Sequence, residues 1–245
     1  MVAVSYADTE SNIFPEAVIY DLKTQSFVHL KEGEEKPHKD AIPDAFFSHS
    51  GEYVLTACFD STIRVFSSTS GQLINSFGKK TEDRKGHKER ITVMCQPHTK
   101  NEDLDIIASV SEDRSAFVWN LESGTSLAYL DGGSKGKDSW RGGAVSFQFG
   151  KGYLSNCIVS TTEGENKKGG EIIIWDYENN KIKRIVNDKL FGGDVFAAEI
   201  SSVGNELFIG AASVIALYDS RSQQEQRVTY TPQKDINQLV LRYLL

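Results

Sequence analysis

A chain of 245 residues with 39% hydrophobic and 25% charged residues has an ordinary globular makeup and enough apolar material for a full core, which excludes disordered and fibrous classes. Its formal net charge of -7 works against general binding to nucleic acid or anionic lipid, both of which need a positive field. The longest apolar runs, 213–218 and 239–245, fall far short of the roughly 20 residues that span a bilayer, so no membrane segment is expected.

Met1 to Ala7 lacks the basic and apolar regions of a secretory leader, the three cysteines (Cys58, Cys95, Cys157) lie inside apolar stretches, and no Asn-x-Ser/Thr acceptor occurs. These features point to buried thiols in a reducing compartment, cytoplasm or nucleus. Strand-like segments rich in Val, Ile, Phe and Thr recur along the chain. Val2 to Tyr6, Ala17 to Tyr20 and Phe27 to Leu30 come first, then Tyr53 to Cys58 and Thr62 to Phe66. Ile91 to Gln96, Asp105 to Val110 and Ala116 to Trp119 follow, then Ala144 to Phe149 and Glu171 to Trp175, and last Glu206 to Gly210 and Val214 to Tyr218. No segment keeps helical spacing for long, so the class is all-β. Gly51-Glu52, Gly71-Gln72, Glu122-Ser123-Gly124 and Asn179-Asn180 supply turn chemistry between strands.

The strands fall into groups. An aromatic closes the third strand of each, followed by a polar or acidic residue and a turn: Tyr20-Asp21, Phe66-Ser67, Trp119-Asn120, Trp175-Asp176 and Tyr218-Asp219. The intervals run from 43 to 56 residues, near the length of a four-stranded propeller blade. One such sheet cannot bury both its faces, so neighbouring units must stack into a continuous core.

The segments VLTACFDSTIRVFS at 54–67 and IASVSEDRSAFVWN at 107–120, preceded by Pro37-His38 and Gly86-His87, closely resemble the WD-repeat signature. The resemblance implies a WD-repeat β-propeller of about five four-stranded blades. It also implies a buried hydrogen-bonded network in each repeat: His38, Thr56, Asp60 and Phe66 in one, with Phe66 lacking the usual indole N–H, and His87, Ser109 (or Ser111), Asp113 and Trp119 in the other. A buried Asp is tolerated only when donors satisfy its lone pairs, and the recurrence of His, Ser and Asp at matching spacing makes them structural rather than a catalytic triad. Trp175 ends a third strand in the same way, although Gly142-Gly143 stands in place of Gly-His and a long hairpin runs from Glu163 to Gly170. In the last unit Gly192-Gly193-Asp194 replaces Gly-His and Ala212 the turn Asp, so these blades are expected to rely on apolar packing.

The organisation expected is a single domain over 1–245, with units at about 1–36, 37–80, 81–131, 132–188 and 189–231. Residues 232–245, with a strand at 236–244, form an extra first strand completing the opening unit. Two possibilities stay open, a closed five-bladed ring and part of a larger propeller completed by a partner's strand.

The resemblance also places partner binding on the rim where the loops before each first strand meet the turns between second and third strands. Ala41, Pro43, Phe59, Arg90, Thr92, Glu112, Asp194, Phe196 and Asn237 are the candidates there. Phe59 and Phe196 stand out, since exposed aromatics anchor partners, against the plainer possibility that they pack on neighbouring loops. The function expected is that of a non-catalytic interaction scaffold with protein or peptide partners and without cofactor or metal. Three alternatives stand beside it. Tyr218-Asp219-Ser220-Arg221 resembles the Trp-Asp-x-Arg element of cullin ubiquitin-ligase substrate receptors, with Tyr for Trp. Some five-bladed propellers are glycosidases, but nothing here selects a carboxylate pair, metal spacing or phosphate loop. The charged runs Lys79 to Arg90 and Lys135 to Arg141, the second containing Trp140, could hold a phosphate or acidic peptide, although acidic residues inside the first reduce its field.

Overall fold

The computed structural model describes residues 2–8, 13–35, 37–82, 85–97, 105–131, 144–162, 170–184, 191, 193–201, 206–211, 214–219 and 228–230. Among the described residues its elements are β-strands and a 3-10 turn at Gly152–Leu154, and Phe191 is helical. Among the described residues the strands form five antiparallel sheets, each built from strands consecutive in sequence. The first has three strands: β1 (Val2–Asp8), β2 (Ile13–Asp21) and β3 (Ser26–His29). Four strands each follow in β4 (Asp44–Phe47) to β7 (Leu73–Phe77), with β5 (Tyr53–Ala57) and β6 (Ile63–Ser67) between them, and in β8 (Ile91–Cys95), β9 (Ile106–Ser111), β10 (Ser115–Asn120) and β11 (Ser126–Asp131). The next sheet holds β12 (Ala144–Phe149), β13 (Cys157–Thr162), β14 (Ile172–Asp176) and β15 (Lys181–Arg184). The last holds β16 (Val195–Ile200), β17 (Glu206–Ala211), β18 (Ile215–Asp219) and β19 (Val228–Tyr230). The expected strands stand within a few residues of their observed limits. The first strand expected at 236–244 lies outside the described residues.

The chain divides into two compact units, Met1–Leu127 and Ala128–Leu245. In each unit some middle strands are buried on both faces, which is why their sequences run apolar without alternation: every residue of β9 is buried, as are the first four of β6 and of β14. The fourth strand β7 alternates between burial and exposure and leaves Ile74 at its edge in water. The first unit's sheets meet through Ala17, Ile19, Leu30, Ile42, Val54 and Phe66. Innermost contacts there are polar as well: the Met94 N–H of β8 donates to Asp44 Oδ2 on β4 over 2.9 Å, and Gln96 Nε2 donates to the Phe47 carbonyl over 2.9 Å. The second unit is held by an apolar cluster that includes Ile172, Ile174, Val195, Ile200, Leu207 and Ile209.

Turns fall where the sequence places them. Gly71 has φ +70°, and a Cβ there would meet the His29 carbonyl at 2.2 Å, because Lys31 N–H donates to the Gly71 carbonyl where the opening sheet meets β7. Asn180, at φ 51°, supplies the left-handed position between β14 and β15.

Candidate functional site

The turn between β9 and β10 places Asp113 so that its Oδ1 accepts the Ser115 N–H (2.9 Å) and the Ser115 hydroxyl (2.5 Å), while Oδ2 accepts the Lys88 N–H (2.7 Å). An Asp accepting the N–H two residues on closes the turn, with Arg114 between them at φ 66°. Since the Ser115 hydroxyl donates to the carboxylate, its oxygen is the acceptor for His87 Nδ1–H at 2.7 Å. His87 is fully buried, and burial lowers its pKa against the upward pull of Asp113, so the ring is neutral and its Nε2 accepts from the Ser109 hydroxyl at 2.7 Å. Ser109 Oγ in turn accepts Trp119 Nε1–H at 2.8 Å. The result is a one-directional chain: Trp119 to Ser109, His87, Ser115 and Asp113. Burial alone would raise Asp113, but the neighbouring His87 ring, Ser115 and Lys88 N–H outweigh it and hold the carboxyl well below its usual range. His87 and Asp113 stand 3.9 Å apart and communicate through Ser115. The entry of this repeat depends on Gly86, where a Cβ would strike the Gly78 carbonyl at 2.4 Å. That carbonyl accepts the His87 N–H at 2.7 Å.

The earlier repeat builds the same place differently. Phe66 is fully buried against the His38 ring, with centroids 5.8 Å apart, and brings no donor. Arg64 fills the gap. Its Nη1 donates to His38 Nδ1 at 3.2 Å, and Nη2 makes a 2.7 Å ion pair with Asp60 Oδ2. Because guanidinium cannot accept, His38 Nδ1 is bare and its proton sits on Nε2, which donates to Thr56 Oγ1 at 3.0 Å. Burial, helped by Arg64 and opposed by Asp60, brings the His38 pKa down to about 4. Burial raises Asp60, but Arg64 and the Thr62 hydroxyl bring it down to about 2. At the position of Arg64 the later repeat has Phe117, edge-on to His87 at 4.8 Å.

Residues 32–67 and 78–120 match the family model for the WD domain, G-beta repeat. These two stretches are WD repeats. Its all-β sheets and paired networks place it in the β-propeller fold class, and WD repeats serve generally as protein-interaction scaffolds.

Outside those two repeats the WD network thins. Trp175 is buried, but its Nε1–H donates to Asn180 Oδ1 at 3.2 Å, so it belongs to a turn rather than to a His–Ser–Asp network. Ser160, at the β13 position that Ser109 holds in β9, donates to the Thr161 carbonyl at 3.4 Å. Ile209 takes that position in the last sheet, where packing is apolar as expected. Ala212, Gly192 and Gly142-Gly143 lie outside the described residues.

Among the rim candidates, Ala41, Phe59, Arg90 and Glu112 come together in the first unit. The Phe59 N–H donates to the Ala41 carbonyl at 2.9 Å, and the Glu112 N–H to the Arg90 carbonyl at 3.0 Å. The Arg90 guanidinium lies over the Phe59 ring at 4.9 Å. Phe59 is therefore half-buried beneath Arg90, while Arg90, Glu112 and Pro43 are exposed. Thr92 is the extra residue of a β-bulge at the start of β8, and Phe196 of one at the start of β16. Bulges there turn side chains out of the sheet's alternation. Asp194 and Phe196 are half-buried in the second unit, and Asn237 lies outside the described residues. Tyr218 and Asp219 are buried in β18, whereas Ser220, Arg221 and the run 135–141 lie outside the described residues. Only Cys58 is buried. Cys95, the last residue of β8, and Cys157, the first of β13, are half-buried. Burial raises the Cys58 thiol pKa to about 11. Among the described residues no group of three or more His, Cys, Asp or Glu could hold a metal, and no helix is long and apolar enough to cross a membrane.

Sequence reasoning missed Arg64, Ser115, Thr62 and Asp44. The first three had a signal: Thr62 and Ser115 both follow their Asp by two residues, and Arg64 follows Asp60 by four. Asp44 had none, since its partner lies in another sheet.

Proposed function

We propose that this protein is a non-catalytic scaffold that holds a segment of a protein partner on the loops around Phe59 and Arg90. One observation carries this reading: a half-buried aromatic capped by an exposed guanidinium, with the backbones of Ala41 and Glu112 tied to both, while none of these side chains takes part in the His networks. Aromatic and Arg side chains dominate binding hot spots, and a stacked pair of this kind loses little entropy when a partner closes over it. The buried His and Ser residues favour structure over chemistry, because both imidazoles are shut away from the surface with each ring nitrogen tied to a fixed side chain. Affinity capture from native cells tests the reading. Phe59→Ala and Arg90→Ala are expected to lose the partners retained by the wild type, while Ile74→Ala, at an exposed outer-strand position, keeps them. Equal recovery by all four proteins would defeat the proposal.

A further inference from the structure

The stacking of Arg90 on Phe59 dictates what a partner must bring to the rim. We propose that the partner segment held there presents a carboxylate, from an Asp or Glu side chain, to the Arg90 guanidinium. The proposal rests on the reading that partners bind at Phe59 and Arg90, and it adds the chemistry that the site selects. The guanidinium carbon lies 4.9 Å from the Phe59 ring centroid, so the ring covers one face of the cation, and Arg90 is exposed, so its N–H edge is left to water. Among the described residues no acceptor takes an Arg90 side-chain N–H. Arg64 shows what the same group needs once it is buried: its Nη1 donates to His38, and its Nη2 pairs with the Asp60 carboxylate at 2.7 Å. A partner that closes over Phe59 takes Arg90 out of water as well. A guanidinium has five N–H donors and no acceptor, so its burial is tolerated only against acceptors, best of all a carboxylate that takes two parallel N–H groups.

The backbone under this pair is held before any partner arrives. Phe59 N–H donates to the Ala41 carbonyl at 2.9 Å, the Arg90 carbonyl accepts the Glu112 N–H at 3.0 Å, and two residues before Arg90 the Lys88 N–H donates to Asp113 Oδ2 at 2.7 Å. A stacked, anchored guanidinium has less freedom to lose on binding than a solvated one. The surroundings also choose between anions. Glu89 adjoins Arg90 in sequence and Glu112 adjoins it through the backbone bond, and both are exposed. A phosphoryl group carries about -1.5 to -2 charges at pH 7 and meets nearly twice the repulsion from these two acids that a carboxylate meets, so the carboxylate is the better fit.

The test pans a phage library of random octapeptides on the full chain. The tightest binder is then synthesised in three forms: with its acidic residue, with the matching amide (Asn or Gln) in its place, and with phosphoserine there. Selected peptides are expected to share an Asp or Glu at one position. The acidic form should bind the wild type about fivefold or more tightly than the amide form, and Arg90→Gln should bind the two forms equally. The comparison of acid with amide on the wild type needs no variant to fold, and Arg90 is exposed, so Arg90→Gln should keep the wild-type thermal midpoint. Selection without a common acid, equal binding of the acidic and amide forms, an acid advantage that survives in Arg90→Gln, or tighter binding of the phosphoserine form would overturn the proposal. Peptides that bind Phe59→Ala as tightly as the wild type would defeat the rim reading and this proposal with it. Peptides lost with Phe59→Ala but indifferent to the exchange of acid for amide would defeat the carboxylate alone.

Discussion

His38 and His87 occupy the same place in successive repeats and carry their proton on opposite nitrogens. The cause is a single donor. Trp119 gives its N–H to Ser109, leaving the Ser109 hydroxyl to serve His87 Nε2, whereas Phe66 gives nothing, so Thr56 accepts from His38 and Arg64 must cover the other nitrogen. Imidazole ¹⁵N shifts should show an Nδ1–H tautomer for His87 and Nε2–H for His38; one tautomer for both would contradict these assignments. Ser109→Ala leaves Trp119 Nε1 and His87 Nε2 without partners in a dry site and should cost about 2 kcal/mol in urea unfolding. Ser109→Thr, the residue type found at position 56, should cost less than half as much. Arg64→Met orphans a largely buried carboxylate and should cost about 3 kcal/mol. Acid acts through the same residues. Unfolded His38 titrates near 6.5 and folded His38 near 4, so between these values the unfolded chain holds the extra proton and stability falls as pH falls. Up to about 3 kcal/mol present above pH 6.5 should be gone near pH 4, with His87 acting in the same direction and Asp60 adding a further loss between its ordinary 3.8 and about 2. A His38→Gln variant should show a shallower loss between pH 7 and 4.5. An unchanged slope would show that His38 is not the titrating group.

At the scale of strands and sheets, the two WD repeats and the two later four-stranded sheets are stable for different reasons. In the second unit Ile200 is fully buried in the apolar cluster, and Ile200→Ala should cost 2–5 kcal/mol by denaturant unfolding, the range for deleting a packed aliphatic side chain. Gly86→Ala should be comparably severe for a different reason, since its methyl would meet the Gly78 carbonyl and push apart the entry to the later repeat. These differences explain what the sequence could and could not show. Strands were legible because buried runs such as IIASVS and IIIWD need apolar residues on both faces, and turns because Gly71 and Asn180 occupy left-handed backbone. The later network was legible as a pattern because its parts recur at fixed spacing. The Arg64 substitution was not, because Arg on a strand normally reads as an exposed side chain, and only the pairing of Phe66 with Asp60 around one histidine gives it a buried role. Trp175 misled for the converse reason: the residue recurs, and Ser160 stands at the Ser109 position, but the indole N–H goes to Asn180 Oδ1 instead.

At the scale of the whole molecule, the proposed reading is that the buried polar groups of the two WD repeats are committed to structure, which leaves the exposed loops of the first unit for binding. The acidic chain should gain little from nucleic acid, and any affinity that falls steeply with added salt would count against that expectation. The central claim is the separation of fold from recognition, and one paired measurement tests it: the Kd of a purified partner and the thermal midpoint, each for the wild type and for Phe59→Ala. The account predicts binding weakened at least about tenfold, with a midpoint moved by no more than the loss of about 1 kcal/mol expected at a half-buried loop position. Unchanged affinity, or lost affinity accompanied by unfolding, would contradict it.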